Sequence, residues 1–173
     1  MELLEKFRQY LYQYKLKKRI SDDHQAVSIT TAKKIGILFD ATDEKDVMII
    51  RAYKKELINR KKIVRLMAYK DTKIVEQDLG FECFCNKDLA FDRTPLSNRN
   101  VTDFIQTPFE LLISLHMSPN PSLEFISAAS KAKFRVGPYQ ASREDAYDLM
   151  LYGKHKSLRV FIKTMEEYLE KIS

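Results

Sequence analysis

The spacing of apolar positions changes several times along the chain, and each change predicts an element. Leu3, Leu4, Phe7, Tyr10, Leu11 and Tyr14 recur at helical intervals, which predicts an amphipathic helix over residues 2–19. Residues 20–31 are polar with little period and read as a connection. A short, continuous apolar run, Ile35-Gly36-Ile37-Leu38-Phe39, then ends at Asp40, as expected for a strand over 33–40 buried on both faces. Asp43 can cap a helix over 43–60 with Val47, Ile50, Tyr53 and Leu57 inward. Strands are predicted at 63–69, 81–85, 109–116 and 134–137, with a weaker sixth at 145–151. A short helix at 101–106 breaks the long stretch 86–107. Asn120 followed by Pro121 announces another helix, since Asn satisfies free N–H groups at a helix start and Pro has none to satisfy. Leu158, Phe161, Ile162, Met165, Leu169 and Ile172 form the core-facing stripe of a final helix.

Strands that alternate with helices imply right-handed crossovers and a parallel sheet covered on both sides. The expected fold is therefore a single Rossmann-like, three-layer α/β domain with a mostly parallel sheet of five to six strands, preceded by an N-terminal amphipathic helix. Residues 1–32 form the helix and its connection, and 33–173 the α/β domain. A chain of 173 residues is long enough to bury a core of this kind.

Charge adds one feature to this picture. The net charge is +6, and residues 1–19 hold six bases against two acids, so most of the excess sits on the first helix. Lys15, Lys17, Lys18 and Arg19, among tyrosines, make its end a candidate surface for binding a partner. The helix allows three readings: its aromatic stripe packs on the body, it serves a protein partner or a homodimer, or, more weakly, it lies on an anionic membrane or nucleic-acid surface. Nucleic acid is not expected, because no helix-turn-helix, RNA-recognition or zinc-finger pattern occurs. No apolar run approaches the roughly 18 residues of a membrane span, and the charged start does not read as a secretory leader, so the expected location is the cytoplasm.

In open parallel sheets, ligands bind outside the carboxyl ends of the strands where the strand order reverses. With the first strand central, that point lies between it and the strand over 109–116. The residues brought there are Asp40, Thr42, His116, Ser118, Asn120 and Ser122. Asp40 and His116 could pair as acid and base, and the N–H groups around Ser122 and Leu123 could receive a phosphate or carboxylate. These polar residues also suit turns and caps. Cys83 and Cys85 stand two apart on a strand, with His24, His116 and His155 scattered, so no metal and no cofactor is expected. No dinucleotide glycine motif follows the first strand, where Asp40-Ala41-Thr42-Asp43-Glu44-Lys45 stands instead. No P-loop, nucleophile elbow or zincin motif occurs either, and no residue is assigned a catalytic role.

Phe109-Glu110-Leu111-Leu112-Ile113-Ser114-Leu115, the small residues Ser127-Ala128-Ala129-Ser130, and Lys133-Phe134-Arg135-Val136-Gly137 together resemble a block of the heptosyltransferase family of GT-B glycosyltransferases. Asp46-Val47 is loosely similar to that family's Gly-Asp-Val segment, although Lys45 replaces the glycine and Ser114 the second strand aspartate. With one Rossmann-like half present, the resemblance implies a fold and not transferase activity. The Ser118-Pro119-Asn120-Pro121-Ser122 and Lys133–Tyr139 stretches also resemble an uncharacterised bacterial family of unknown function. The expected function is that of an accessory cytoplasmic domain binding a partner or surface. The alternative is a binder of, or enzyme acting on, a small anionic ligand such as a sugar phosphate or nucleotide.

Overall fold

The computed structural model describes residues 1–19, 23–74, 78–141 and 144–172. Its elements run α1 (Glu2–Lys17), β1 (Lys34–Asp40), α2 (Glu44–Asn59), β2 (Ile63–Lys70), β3 (Glu82–Cys85), α3 (Arg99–Gln106), β4 (Leu111–Leu115), α4 (Pro121–Ala129), β5 (Phe134–Pro138), β6 (Leu149–Leu151) and α5 (Leu158–Glu170). The strands form one sheet in the order β3-β2-β1-β4-β5-β6, and every neighbouring pair is parallel. Numbering descends from β3 to β1 and then jumps to β4, so the order reverses beside β1. Ile35–Phe39 run in register with Leu111–Leu115 across that junction.

Burial explains why the two central strands are almost wholly apolar. All five residues of β4 are buried, as are the five inner residues of β1. Alternate side chains serve opposite layers. Ile35, Ile37 and Phe39 pack with Val47, Ile50 and Leu57 of α2 and Phe161, Met165 and Leu169 of α5. Leu38 and Leu112 face the other layer, where Phe104 of α3, Phe125 and Ile126 of α4, and Tyr12 and Leu16 of α1 lie.

Side-chain caps fix four helix starts, those at Asp43 and Asn120 as expected. Asp43 accepts from Lys45 N, Asn98 from Asn100 N and Val101 N, Asn120 from Ser122 N and Leu123 N, and Ser157 from Val160 N. The sixth strand is shorter than its sequence predicts. Residues 144–146 form a 3-10 turn, and β6 begins only at Leu149. Tyr147 is buried and Asp148 is drawn to Arg135, so both side chains serve tertiary contacts where an extended ladder would otherwise run.

Candidate functional site

Two regions carry the candidate residues: the crevice at the carboxyl ends of the central strands, and helix α1, whose inner face borders that crevice.

Asp40 closes β1, and its Oδ1 accepts the Thr42 N–H at 2.9 Å. Thr42 in turn uses Oγ1 to accept the Asp71 N–H at 3.0 Å, which ties the end of β1 to the end of β2. Across the switch point, Asn120 Oδ1 accepts the N–H groups of Ser122 and Leu123, both at 3.2 Å. Its Nδ2 stands 3.5 Å from Asp40 Oδ2, and its own N–H donates to Glu124 Oε1 at 3.1 Å. The start of α4 is thus satisfied by its own cap, and the N–H groups expected to receive an anion are occupied by Asn120. Ser122 is buried, its hydroxyl donating to the Arg93 carbonyl at 2.8 Å.

Asp40 and His116, offered by the sequence as an acid–base pair, take separate hydrogen-bond partners. His116 is buried beneath the crevice, and both ring nitrogens are engaged. Nδ1 lies 2.9 Å from the Ser118 carbonyl, which can only accept, so this nitrogen carries the proton. Nε2 then accepts from the Tyr147 hydroxyl at 3.1 Å. Burial holds the imidazole below its ordinary pKa of 6.5, against the smaller upward pulls of the Ser118 carbonyl and Asp40. The neutral ring is a fixed strut between β4 and the segment leading to β6. The sign of its linkage follows. The folded pKa is depressed, so below pH 6.5 the unfolded chain takes up a proton that the folded ring resists, and stability falls as pH drops towards the folded value. Thermal melts at about pH 7.5 and about pH 5.5 should show a loss on acidification that shrinks in His116→Gln. An unaltered difference between the two pH values would show that His116 titrates as a solvated imidazole.

The structure brings to the same crevice four residues that sequence reasoning did not select. Tyr69 and Asp71 close β2, Arg93 comes from the loop before α3, and Arg8 descends from α1. With Asp40, Thr42, Asn120 and Ser122 they line a crevice of about 470 Å³. Tyr69 donates to Asn86 Oδ1 at 2.6 Å, and Asn86 Nδ2 donates to Asp71 Oδ1 at 2.8 Å, so the acidic wall is held in place. Tyr69 and Asp71 could have been found by the strand-end rule that selected Asp40. Nothing local in the sequence marks Arg8 or Arg93. His116 and Ser118 line a neighbouring depression with Asp40 and Asp46. There burial, and then the charges of Asp43 and Asp40, push the Asp46 carboxyl above its ordinary range. Among the described residues no group of three or more His, Cys, Asp or Glu could hold a metal.

Residues 5–172 match the profile of a family of unknown function. The chain belongs to that family, DUF6913. No curated protein matches it, and no solved structure does. The comparisons therefore lend nothing to the heptosyltransferase likeness, while the uncharacterised family is established. The matched span of DUF6913 takes in nearly all of α1 together with the sheet.

In this DUF6913 chain, α1 is anchored by the side that carries few of its apolar residues. Tyr12 and Leu16 are buried, the Tyr12 ring meeting Phe125 edge-on at 5.2 Å and its hydroxyl donating to the Pro121 carbonyl at 3.1 Å. Lys15 Nζ lies 2.7 Å from Asp92 Oδ2 and donates to Thr94 Oγ1 at 3.1 Å. Burial pushes the Asp92 carboxyl up, but its hydrogen bonds with Lys15 and Thr94 outweigh that and hold it below the ordinary range. Apart from Leu11, which is half-buried at its edge, the apolar stripe points away from the body: Leu3 is 80% exposed, Leu4 61%, Phe7 53%, Tyr10 64% and Tyr14 49%. The reading in which this stripe packs on the body is overturned. One turn of the helix selects a single inward side, and that side is Arg8, Tyr12, Lys15, Leu16 and Arg19.

The four predicted surface bases separate accordingly. Lys15 is spent on Asp92. Arg19 is half-buried and donates to the Lys15 carbonyl at 3.0 Å. Lys17 and Lys18 remain exposed, Lys18 lying 4.3 Å over the Tyr14 ring at the edge of the outward stripe. Among the described residues no helix is long and apolar enough to cross a membrane.

Proposed function

We propose that this DUF6913 chain is an accessory binding domain that docks, through the outer face of α1, onto an amphipathic helix of a partner protein. The observation that supports this reading is the uncovered stripe of Leu3, Phe7, Tyr10 and Tyr14 on a helix already anchored by its opposite side. Contiguous exposed apolar surface of this kind marks interaction sites in soluble domains.

The stripe has steps of four, three and four residues, which is the seam of a helix pair. Its flanks choose the partner. In that register Lys6 and Lys18 stand beside the seam with Gln13, Leu4 and Leu11, and no acid does. Flanking charges set partner choice in helix pairs, so this face favours a helix with acidic flanks and disfavours a second copy of itself. The heptosyltransferase likeness adds nothing to the reading, since Ser114, which stands where that family has an aspartate, is fully buried in β4.

A synthetic helix with leucine at its seam and glutamate on both flanks provides the probe. Fluorescence anisotropy should show salt-sensitive binding to the full chain, weaker by at least about tenfold in Phe7→Glu/Tyr14→Glu, with an unchanged melting temperature. A peptide with lysine flanks should not bind. Equal binding by both peptides, binding untouched by the double substitution, or capture of the domain by anionic vesicles in place of the acidic peptide would overturn the reading.

A further inference from the structure

The crevice at the switch point is lined by charges of both signs. Arg8 and Arg93 line it together, and both also border the adjoining groove under α1, which Asp40 and Asp71 do not. Asp40 stands at the end of β1 and Asp71 just past the end of β2, with Tyr69 and Asn120 also in the lining. The backbone that presents Arg93 is pinned. Its N–H donates to the Ala90 carbonyl at 2.9 Å, its own carbonyl accepts from the buried Ser122 hydroxyl at 2.8 Å, and its φ is 65°. A residue other than glycine in that region is held there by its surroundings. The Arg93 guanidinium makes no ion pair or side-chain hydrogen bond with any described residue. Arg8 pairs with Glu5, which engages one edge of a group with five donors.

From this arrangement we infer a binding site for a phosphorylated sugar, as a free sugar phosphate or within a mononucleotide. Two arginines shared between the crevice and its adjoining groove suit a phosphate, which takes paired, charge-assisted hydrogen bonds. The phosphate sits on side chains and not on the start of α4, because Asn120 already occupies those N–H groups. The carboxylates at the strand ends set the rest of the ligand. Asp40 and Asp71 are acceptors held by Thr42 N and Asn86 Nδ2, so they favour a body rich in hydroxyl donors and repel a second anionic group. A volume of about 470 Å³ accommodates a pentose phosphate or a mononucleotide, within the range of small-molecule sites. The location beside β1 and β4 is where open parallel sheets place their ligands.

The test is calorimetric titration of the full chain with ribose 5-phosphate and with AMP, against ribose and inorganic phosphate as single-feature controls. At least one of the two phosphorylated probes should bind at least about tenfold more tightly than either control. Arg93→Gln should weaken that probe by at least about tenfold, while Asp40→Asn should weaken it several-fold and leave inorganic phosphate unweakened. Circular dichroism and melting temperature confirm that both variants fold. The inference is overturned if neither probe binds saturably, if Arg93→Gln leaves binding unchanged, or if inorganic phosphate alone binds as tightly. Since the outer face of α1 is not part of the crevice, Phe7→Glu/Tyr14→Glu should leave sugar-phosphate binding intact.

Discussion

Replacing Asp148 by alanine is expected to destabilise the fold by about 3–5 kcal/mol, the cost of leaving a buried charge without its partner. The Arg135 side chain is 6% exposed. Its Nε and Nη2 donate to the two carboxylate oxygens of Asp148 at 3.1 and 2.8 Å, and its Nη1 donates to the carbonyls of Ala128 and Asp145 at 3.2 and 3.1 Å. The Arg135 N–H also donates to Asp148 Oδ2 at 2.8 Å. One guanidinium thus joins β5, the end of α4 and the turn before β6. Arg135→Met should cost less than Asp148→Ala. It removes the ion deepest in the protein and leaves a carboxylate that is 16% exposed, 3.4 Å from His24 Nδ1, and able to take up water. The double substitution should cost less than the sum of the single ones, because both act on one network. Urea denaturation of the three variants measures this ordering. A loss below about 1 kcal/mol in Asp148→Ala would mean that water reaches the guanidinium.

Gly137→Ala should destabilise by about 1–3 kcal/mol through overpacking, although alanine suits a strand better than glycine. A Cβ at this position would lie 2.4 Å from Cε1, 2.6 Å from Cζ and 2.7 Å from Cδ1 of Tyr147. The ring cannot step aside, since it is buried and its hydroxyl is committed to His116 Nε2. Gly137→Ala should therefore also disturb the environment of His116, visible in the NMR signals of that imidazole. Adding Tyr147→Leu should make the alanine far less costly than it is beside tyrosine. A Gly137→Ala protein as stable as the parent, with an unmoved His116 signal, would show that the ring has room to shift.

These two networks share a feature that limits what can be read from a linear sequence. Arg135 and Asp148 are 13 residues apart, and His116 and Tyr147 are 31 apart. Each pair is legible only as isolated polar residues until the fold closes. Asp148 and Tyr147 even lie within a stretch whose pattern suggested strand, and their tertiary contacts are what convert its first half to a turn. The strand-end rule placed Asp40 and Asn120 at a shared crevice. It could not show that His116 is tied up by the Ser118 carbonyl and the Tyr147 hydroxyl, because Tyr147 lies 31 residues further along the chain. Arg8 reaches the crevice from a helix that begins the chain, and Arg93 from a loop. No periodicity connects either to β1.

The linear pattern by itself determined the sheet. Largely apolar runs at Ile35–Phe39 and Leu111–Leu115 call for burial on both faces, and strands alternating with helices supply it as a parallel sheet covered on each side. It also determined the helix starts at Asp43 and Asn120, because capping is chemistry between near neighbours. What only the tertiary structure decided is orientation. A 3.6-residue period shows that α1 has an apolar stripe, but not whether the body takes that stripe or the side bearing Tyr12, Lys15 and Leu16. The body takes the latter because Asp92, Phe125 and the Pro121 carbonyl, distant in the chain, converge to receive it, and this leaves the aromatic face in water.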